Sequence, residues 1–418
     1  MENTIVTPSD EFDVDTGEIL SPYTIGDCPE GVDKMLWEMW NDESKHDQFL
    51  SQLRRGMLGQ NIGLDTSLAN IDKYTYGIHK ARYYLLGGES GAGKTTLGDF
   101  MFVLKAWESA KKQKRRIKIF YCSFEIGKTE KLYRWCSYFI FVKYGIRLPS
   151  DYLQGRITGK LVAEEHVKII LEAYSVVTEM MKDVVILEHV THPTNIFESI
   201  IENHFAKEGI VERTPVPEAD KKKGKKGFVR GYKENDPNLI TILMIDHLAL
   251  TGSELHLHTK DIMDKMSKYA IVLRNVFFCT VGFYQQFSPD MMSTYRGLIG
   301  KKTEATVTPQ RIDFGDSKAT YRDADVVYGV VKPQSDLSKF LGYDLSRLEG
   351  LGESFVANYI MKNRYGPAAR TIPLFMDGST GYMYDLPLTP GNPLAMQPWY
   401  DKAQEIEKLC QVYCPQSL

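Results

Sequence analysis

At 418 residues, 43% apolar and 25% charged, the chain has the composition of a water-exposed folded protein and the length for one large domain or two ordinary ones. A net charge of −3 excludes a generally basic nucleic-acid coat and leaves room only for a local basic channel. No apolar run approaches the roughly 18 residues of a membrane span, and no basic stretch followed by an apolar core opens the chain, so a cytoplasmic setting is expected.

Residues 1–31 carry Asp10, Glu11, Asp13, Asp15 and Glu18 with no Lys or Arg, the pattern of a flexible acidic arm. Over 32–62 the spacing of Met35, Leu36, Trp37, Met39, Trp40, Phe49, Leu50 and Leu53 predicts a helical docking segment, interrupted around Asn41 to Glu43. From Gly63 to about residue 390, strand and helix patterns alternate, which predicts an α/β domain with a mainly parallel sheet. The expected strands are Tyr83–Leu86, Ile117–Ser123, Val184–His189, Ile240–Ile245, Phe277–Phe283, Val326–Val331 and Ser354–Met361. A lysine-rich insertion at 213–237, flanked by Pro215, Pro217 and Pro237, reads as a flexible basic loop. A tail over 391–418 is expected to end in a helix from Trp399 to Tyr413. Cys28, Cys122, Cys136, Cys279, Cys410 and Cys414 are scattered as reduced thiols would be; Cys410 and Cys414 lack the further pair or histidine of a zinc site.

The chemistry begins at the first of these strands. Gly88-Glu89-Ser90-Gly91-Ala92-Gly93-Lys94-Thr95 reads G-x-x-x-x-G-K-T, between a strand and a helix. Such a loop turns several N–H groups and a helix N-terminus onto phosphates, so residues 88–96, Thr96 included, form the candidate nucleotide cradle. Lys94 would reach the β- and γ-phosphates of ATP, and Thr95 would ligate Mg²⁺.

Four further signals follow in order. Glu125, just past the strand Ile117–Ser123, is placed to activate a water. Asp246 ends a buried apolar strand, where a carboxylate without a partner is costly and a Mg²⁺ ion is the natural compensation. Gln285 follows another strand and would sense the γ-phosphate. The long stretch after it carries Arg296, Lys301, Lys302 and Arg311 as candidate DNA contacts. Lys362 and Arg364 lie two apart on an extended segment and so share a face, suited to reach a neighbouring subunit's γ-phosphate.

With these elements in this order, the chain resembles the RecA-like helicase domain of DnaB-type replicative helicases of superfamily 4, over about residues 63–386. Ser123-Phe124-Glu125-Ile126 is similar to the family's S-L-E-M element, and Met244 to Leu250 to its V-I-D-Y-L-Q-L segment. Gln285 falls on its motif glutamine, and Asp323-Ala324-Asp325-Val326-Val327 and Lys362-Asn363-Arg364-Tyr365-Gly366-Pro367 match D-A-D-V-V and K-x-R-x-G-P. The resemblance implies a hexameric ring with ATP and Mg²⁺ at subunit interfaces and single-stranded DNA in the channel. It also implies a Trp37/Trp40 helix docked on the next protomer. Glu125, Lys94, Gln285, Lys362 and Arg364 would be the catalytic set.

Three departures stand out. The leading segment is short for the globular domain that cellular members use with primase, so primase or another replication protein stays an open partner. The lysine-rich insertion is extra, and His247 and Ala249 replace the usual Tyr and Gln. A compact member of this kind looks most like a bacteriophage or mobile-element version, acting in a host cytoplasm. The rival readings are a RecA-like recombinase that forms filaments, and a nucleotide-switched helicase loader or assembly factor.

Overall fold

The computed structural model describes residues 28–42, 45–46, 48–189, 192–218, 226–252, 258–288, 308–315, 318–333, 339–344, 354–389 and 393–413. Most of the acidic arm, the insertion's lysines 221–223 and 225, and Arg296, Lys301 and Lys302 lie outside them. The chain divides into two compact units, Met1–Ile62 and Gly63–Leu418.

The first unit contributes helices Lys34–Asn41 and Gln48–Met57. Asp33 caps the first, its carboxylate accepting the N–H groups of Met35 and Leu36 at 2.9 and 3.1 Å. Trp40 stacks on His46, with the Arg54 guanidinium 5.8 Å from its ring centre. Met35, Leu36, Phe49 and Leu53 are exposed.

The second unit carries, in chain order, β1 (Tyr83–Gly88), β2 (Ile117–Ser123), β3 (Val184–Leu187), β4 (Gly209–Arg213), β5 (Val229–Glu234), β6 (Ile240–Asp246) and β7 (Thr280–Gln286). There follow β8 (Val326–Val331), β9 (Lys339–Phe340), β10 (Tyr343–Asp344), β11 (Phe355–Asn363), β12 (Arg370–Met376) and β13 (Met383–Asp385). Among the described residues, one nine-stranded sheet runs β13–β12–β11–β8–β1–β7–β6–β2–β3. Neighbours from β8 to β3 are parallel, and β8–β11–β12–β13 are antiparallel.

Period-two alternation explains the layers. Tyr84 and Leu86 of β1 pack in one core with Phe100, Val103, Trp135 and Val177 from the helical segments Lys94–Lys112, Lys128–Tyr144 and Glu164–Met180. Tyr83 and Leu85 face the opposite core with Ile196, Ile200, Met266 and Leu273 from helices Pro193–Ile200 and Thr259–Phe277. A strand buried on both faces needs the continuous apolar run that β1 and β6 have. The antiparallel end is closed by the helix Pro393–Tyr413, whose Met396, Ala403 and Ile406 pack on Phe355 and Phe375. No described helix is long and apolar enough to cross a membrane.

Several boundaries differ from the sequence reading. The strand expected at Phe277–Phe283 begins at Thr280, because Phe277 ends a helix and Phe278 caps it at φ +54°. The strand expected to reach His189 stops at Leu187. Part of the insertion expected to be a flexible loop is a hairpin, β4 paired antiparallel with β5. Val211, Val229 and Tyr232 pack on the core, and Arg213 pairs with Glu198 at 2.7 Å. At its base Arg116 pairs with Glu208 and Asp236, each at 3.0 Å.

Candidate nucleotide-binding site

The phosphate loop leaves β1 at its C-terminal end, flanked by β7 and β8. Gly91 and Gly93 adopt φ +76° and +91°, backbone that side chains resist. At Gly93 a Cβ would also lie 2.5 Å from Met376 Cε, the tip of a flexible side chain, so the positive φ is the main strain an alanine would meet there. Gly93 caps the following helix without a side-chain hydrogen bond, which leaves the first-turn N–H groups to a ligand. Lys94 is 8% exposed and donates to Glu89 O at 2.6 Å. Burial pushes its ammonium below the ordinary lysine range, and the charges of Glu125, Asp246 and Glu89 pull it back.

Thr95 Oγ1 donates to Asp246 Oδ1 at 3.2 Å. Asp246 is 1% exposed; burial raises its carboxyl, with Lys131 opposing and Asp99 and Glu125 adding. A hydroxyl beside a carboxylate is an oxygen donor set that suits Mg²⁺. Among the described residues no group of three or more His, Cys, Asp or Glu side chains comes together to hold a metal ion.

Glu125 enters from the adjacent strand. Ser123 is in register with Asp246, and Phe124 N–H donates to Asp246 O at 2.8 Å. The exposed Glu125 follows directly, near enough for its charge to act on Lys94, Asp246 and His247. The N–H groups of Ala249 and Gln286 point at the two ring nitrogens of His247, at 3.2 and 3.1 Å. Burial and the Lys94 charge lower its pKa, which favours the neutral ring; that ring accepts at one nitrogen only, so it can take one of these two N–H groups at a time.

The two glutamines at the end of β7 part company. Gln285 is 2% exposed; its Nε2 donates to Phe314 O and its Oε1 accepts from Thr320 Oγ1, both at 2.7 Å. Gln286 is exposed and sits in register with Gly88. Arg311, in the turn Arg311–Phe314, lies 5.8 Å from the Tyr321 ring centre.

Lys362 and Arg364 occupy the opposite edge of the sheet. Asn363 is in register with Val326, the first residue of β8, while the phosphate loop lies beyond the last residue of β1. Val326 is in turn level with Tyr84 of β1, four residues at about 3.3 Å each from Gly88, which puts roughly 13 Å along the strands between Asn363 and the loop. Lys362 Nζ donates to Tyr321 O and Arg322 O at 3.0 and 2.6 Å. Burial, then the Arg364 guanidinium, lowers Lys362 to about 8.

No protein-family model matches the chain, and no curated protein matches it. Solved structures do. One of them, an isolated ATPase domain, superposes with a TM-score of 0.55 at 17% identity, covering 82% of this chain and 98% of that one. A DnaB-like replicative helicase, described with its interactions with primase, gives 0.53 at 16%, over 84% and 71%. The chain is similar in fold to these two structures.

Within this fold the structure gives a place to residues that the sequence reading left without a role. Asp325 is buried, and its carboxylate accepts from Tyr83 N–H, Arg274 and Arg364 at 2.9, 2.7 and 3.1 Å. Lys131 is fully buried beside Asp99, Tyr121 and Asp246. Its sequence signal was its place, four and seven residues before the buried Trp135 and Tyr138, on the inward face of a helix.

Proposed function

We propose that this chain is an ATP-driven DNA helicase of the DnaB type that hydrolyses ATP between subunits of a ring and moves on single-stranded DNA. The observation that carries this is the split of the chemistry. Lys94, Thr95, Glu125 and Asp246 gather at one edge of the sheet, and Lys362 and Arg364 lie at the other. One copy cannot bring both sets to the same phosphate, so a second copy completes the site.

In the proposed reaction the loop 88–96 holds the phosphates, and Lys94 neutralises their charge. Glu125 orients a water and takes its proton as the water attacks the γ-phosphorus, while the bond from that phosphorus to the β,γ-bridging oxygen breaks and ADP leaves. Thr95 and Asp246 would hold Mg²⁺, which when bound draws charge from the phosphate oxygens. Lys362 and Arg364 of the neighbour stabilise charge on the transferring group. Gln286, in register with Gly88, meets the nucleotide. Gln285 relays its state to Phe314 and Thr320, on either side of the junction between the turn Arg311–Phe314 and the helix Lys318–Asp323. Arg296, Lys301, Lys302 and Arg311 are proposed to contact DNA. A primase, or another replication protein, is the partner to test first.

The deciding experiment is the steady-state ATPase rate against protein concentration, with and without single-stranded DNA, beside Glu125→Gln. A cooperative rate that DNA stimulates and Glu125→Gln abolishes is expected. A slow rate, flat in concentration and indifferent to DNA, would overturn the helicase reading in favour of a nucleotide-switched loader. Open filaments with strand exchange would favour a recombinase.

A further inference from the structure

Lys131 has no exposed surface, and a buried ammonium is tolerated only among compensating charges and acceptors. Its Nζ lies 3.1 and 3.0 Å from the two oxygens of Asp99, 2.7 Å from the Tyr121 hydroxyl and 3.5 Å from Asp246 Oδ2. The Tyr121 hydroxyl accepts from Lys131, and its single proton faces Asp99 Oδ1 at 2.7 Å and Asp246 Oδ2 at 3.2 Å. Trp135 Nε1 completes the set by donating to Asp99 Oδ2 at 3.3 Å. One cation thus serves two carboxylates, and one of these is the candidate metal ligand.

The four residues come from four separate elements. Asp99 stands one turn past Thr95, Tyr121 lies on β2, Lys131 lies on the helix after Glu125, and Asp246 ends β6. The elements that carry or flank Lys94, Thr95, Glu125 and Asp246 are therefore all tied to this buried cluster. A positive charge at this distance opposes the burial that raises the Asp246 carboxyl, and orients the carboxylate. It also repels a second cation that approaches the same carboxylate.

We infer that Lys131 is a positioning residue that acts through Asp246 as a resident cation, shared with Asp99, so that the Asp99–Lys131 pair sets how tightly the site takes Mg²⁺. The inference rests on the ATPase reading above. With Asp99 present, the ammonium is divided between two carboxylates. With Asp99 neutral it falls to Asp246 alone, and Mg²⁺ meets more competition. With both charges removed, Asp246 faces the metal without a rival.

The test is binding of a fluorescent ADP analogue to the full chain while Mg²⁺ is titrated, which needs no turnover. Asp99→Asn should raise the Mg²⁺ concentration for half-maximal binding by about tenfold, and Asp99→Asn with Lys131→Met should lower it by about tenfold. Lys131→Met alone leaves two buried carboxylates unneutralised and is prone to misfold, so the double variant carries the decision. Opposite shifts in the two variants support the inference, since a merely structural role would not change sign. Folded variants that both keep the wild-type Mg²⁺ midpoint, or shift the same way, overturn it. Wild-type binding with no Mg²⁺ dependence would instead sink the ATPase reading itself.

Discussion

Arg364 donates to Asp325 Oδ1, and the other oxygen of that carboxylate accepts the N–H of Tyr83, the first residue of the strand that ends in the phosphate loop. The basic residue proposed to serve a neighbour is thereby anchored to the strand that presents its own chain's phosphate loop. Arg274 also holds Asp325, at 2.7 Å. Because of that second guanidinium, Arg364→Ala should leave the fold intact. Nucleotide binding measured at equilibrium should stay near wild type while turnover falls on the order of 10³-fold. Wild-type turnover would remove Arg364 from the proposed interface.

Lys362 gives the pH dependence. Its folded value of about 8 lies below the ordinary lysine value, so its charge is lost as pH rises through about 8. The proposed function needs that charge, so kcat/KM should decline above pH 8. A Lys362→Arg variant should lack this limb, because its guanidinium stays charged. For stability the sign is opposite. The charged form is the disfavoured one in the folded chain, and that penalty, full below the folded value, fades as pH rises from about 8 toward the unfolded lysine value. An unchanged limb in the arginine variant would assign it to another group.

The paired glutamines should separate in experiment. Gln285→Ala breaks two buried hydrogen bonds and should cost about 1–3 kcal/mol in urea unfolding, along with the stimulation by DNA. Gln286→Ala removes an exposed side chain and should keep stability within about 0.5 kcal/mol while lowering turnover. The reverse pattern would exchange the proposed roles.

Gly98 tests the packing behind the loop. An added Cβ would lie 1.9 Å from the Tyr284 hydroxyl, in a core with no room to yield. Gly98→Ala should therefore destabilise by about 1–3 kcal/mol in thermal or urea unfolding. An unchanged midpoint would show that Tyr284 can move aside.

The strand that feeds the phosphate loop was legible because glycine spacing and a continuous apolar run have few alternative causes. The start of β7 was not, since Phe277-Phe278 prolong its apolar run through a helix end where Phe278 turns to φ +54°. The β4–β5 hairpin hid beside a lysine-rich stretch, because its few partly buried apolar residues, Val211, Val229 and Tyr232, are outnumbered by charges. Strands β12 and β13 also went unnamed, although Ile372, Leu374 and Phe375 fill the core. Lys131 was disguised differently. In Lys128-Thr129-Glu130-Lys131 it looks like one more surface charge, and only the distant Asp99 shows why it is inside.

On the proposed interface reading, the separation of the two basic residues from the phosphate loop gives each copy a polarity, with a face that offers help and a face that needs it. A two-fold dimer would join like faces, so head-to-tail stacking is the arrangement that satisfies every copy. In an open stack the terminal copy keeps a site that never fires. A closed ring has no terminal copy, so for this chain closing the circle is itself a gain in catalytic capacity.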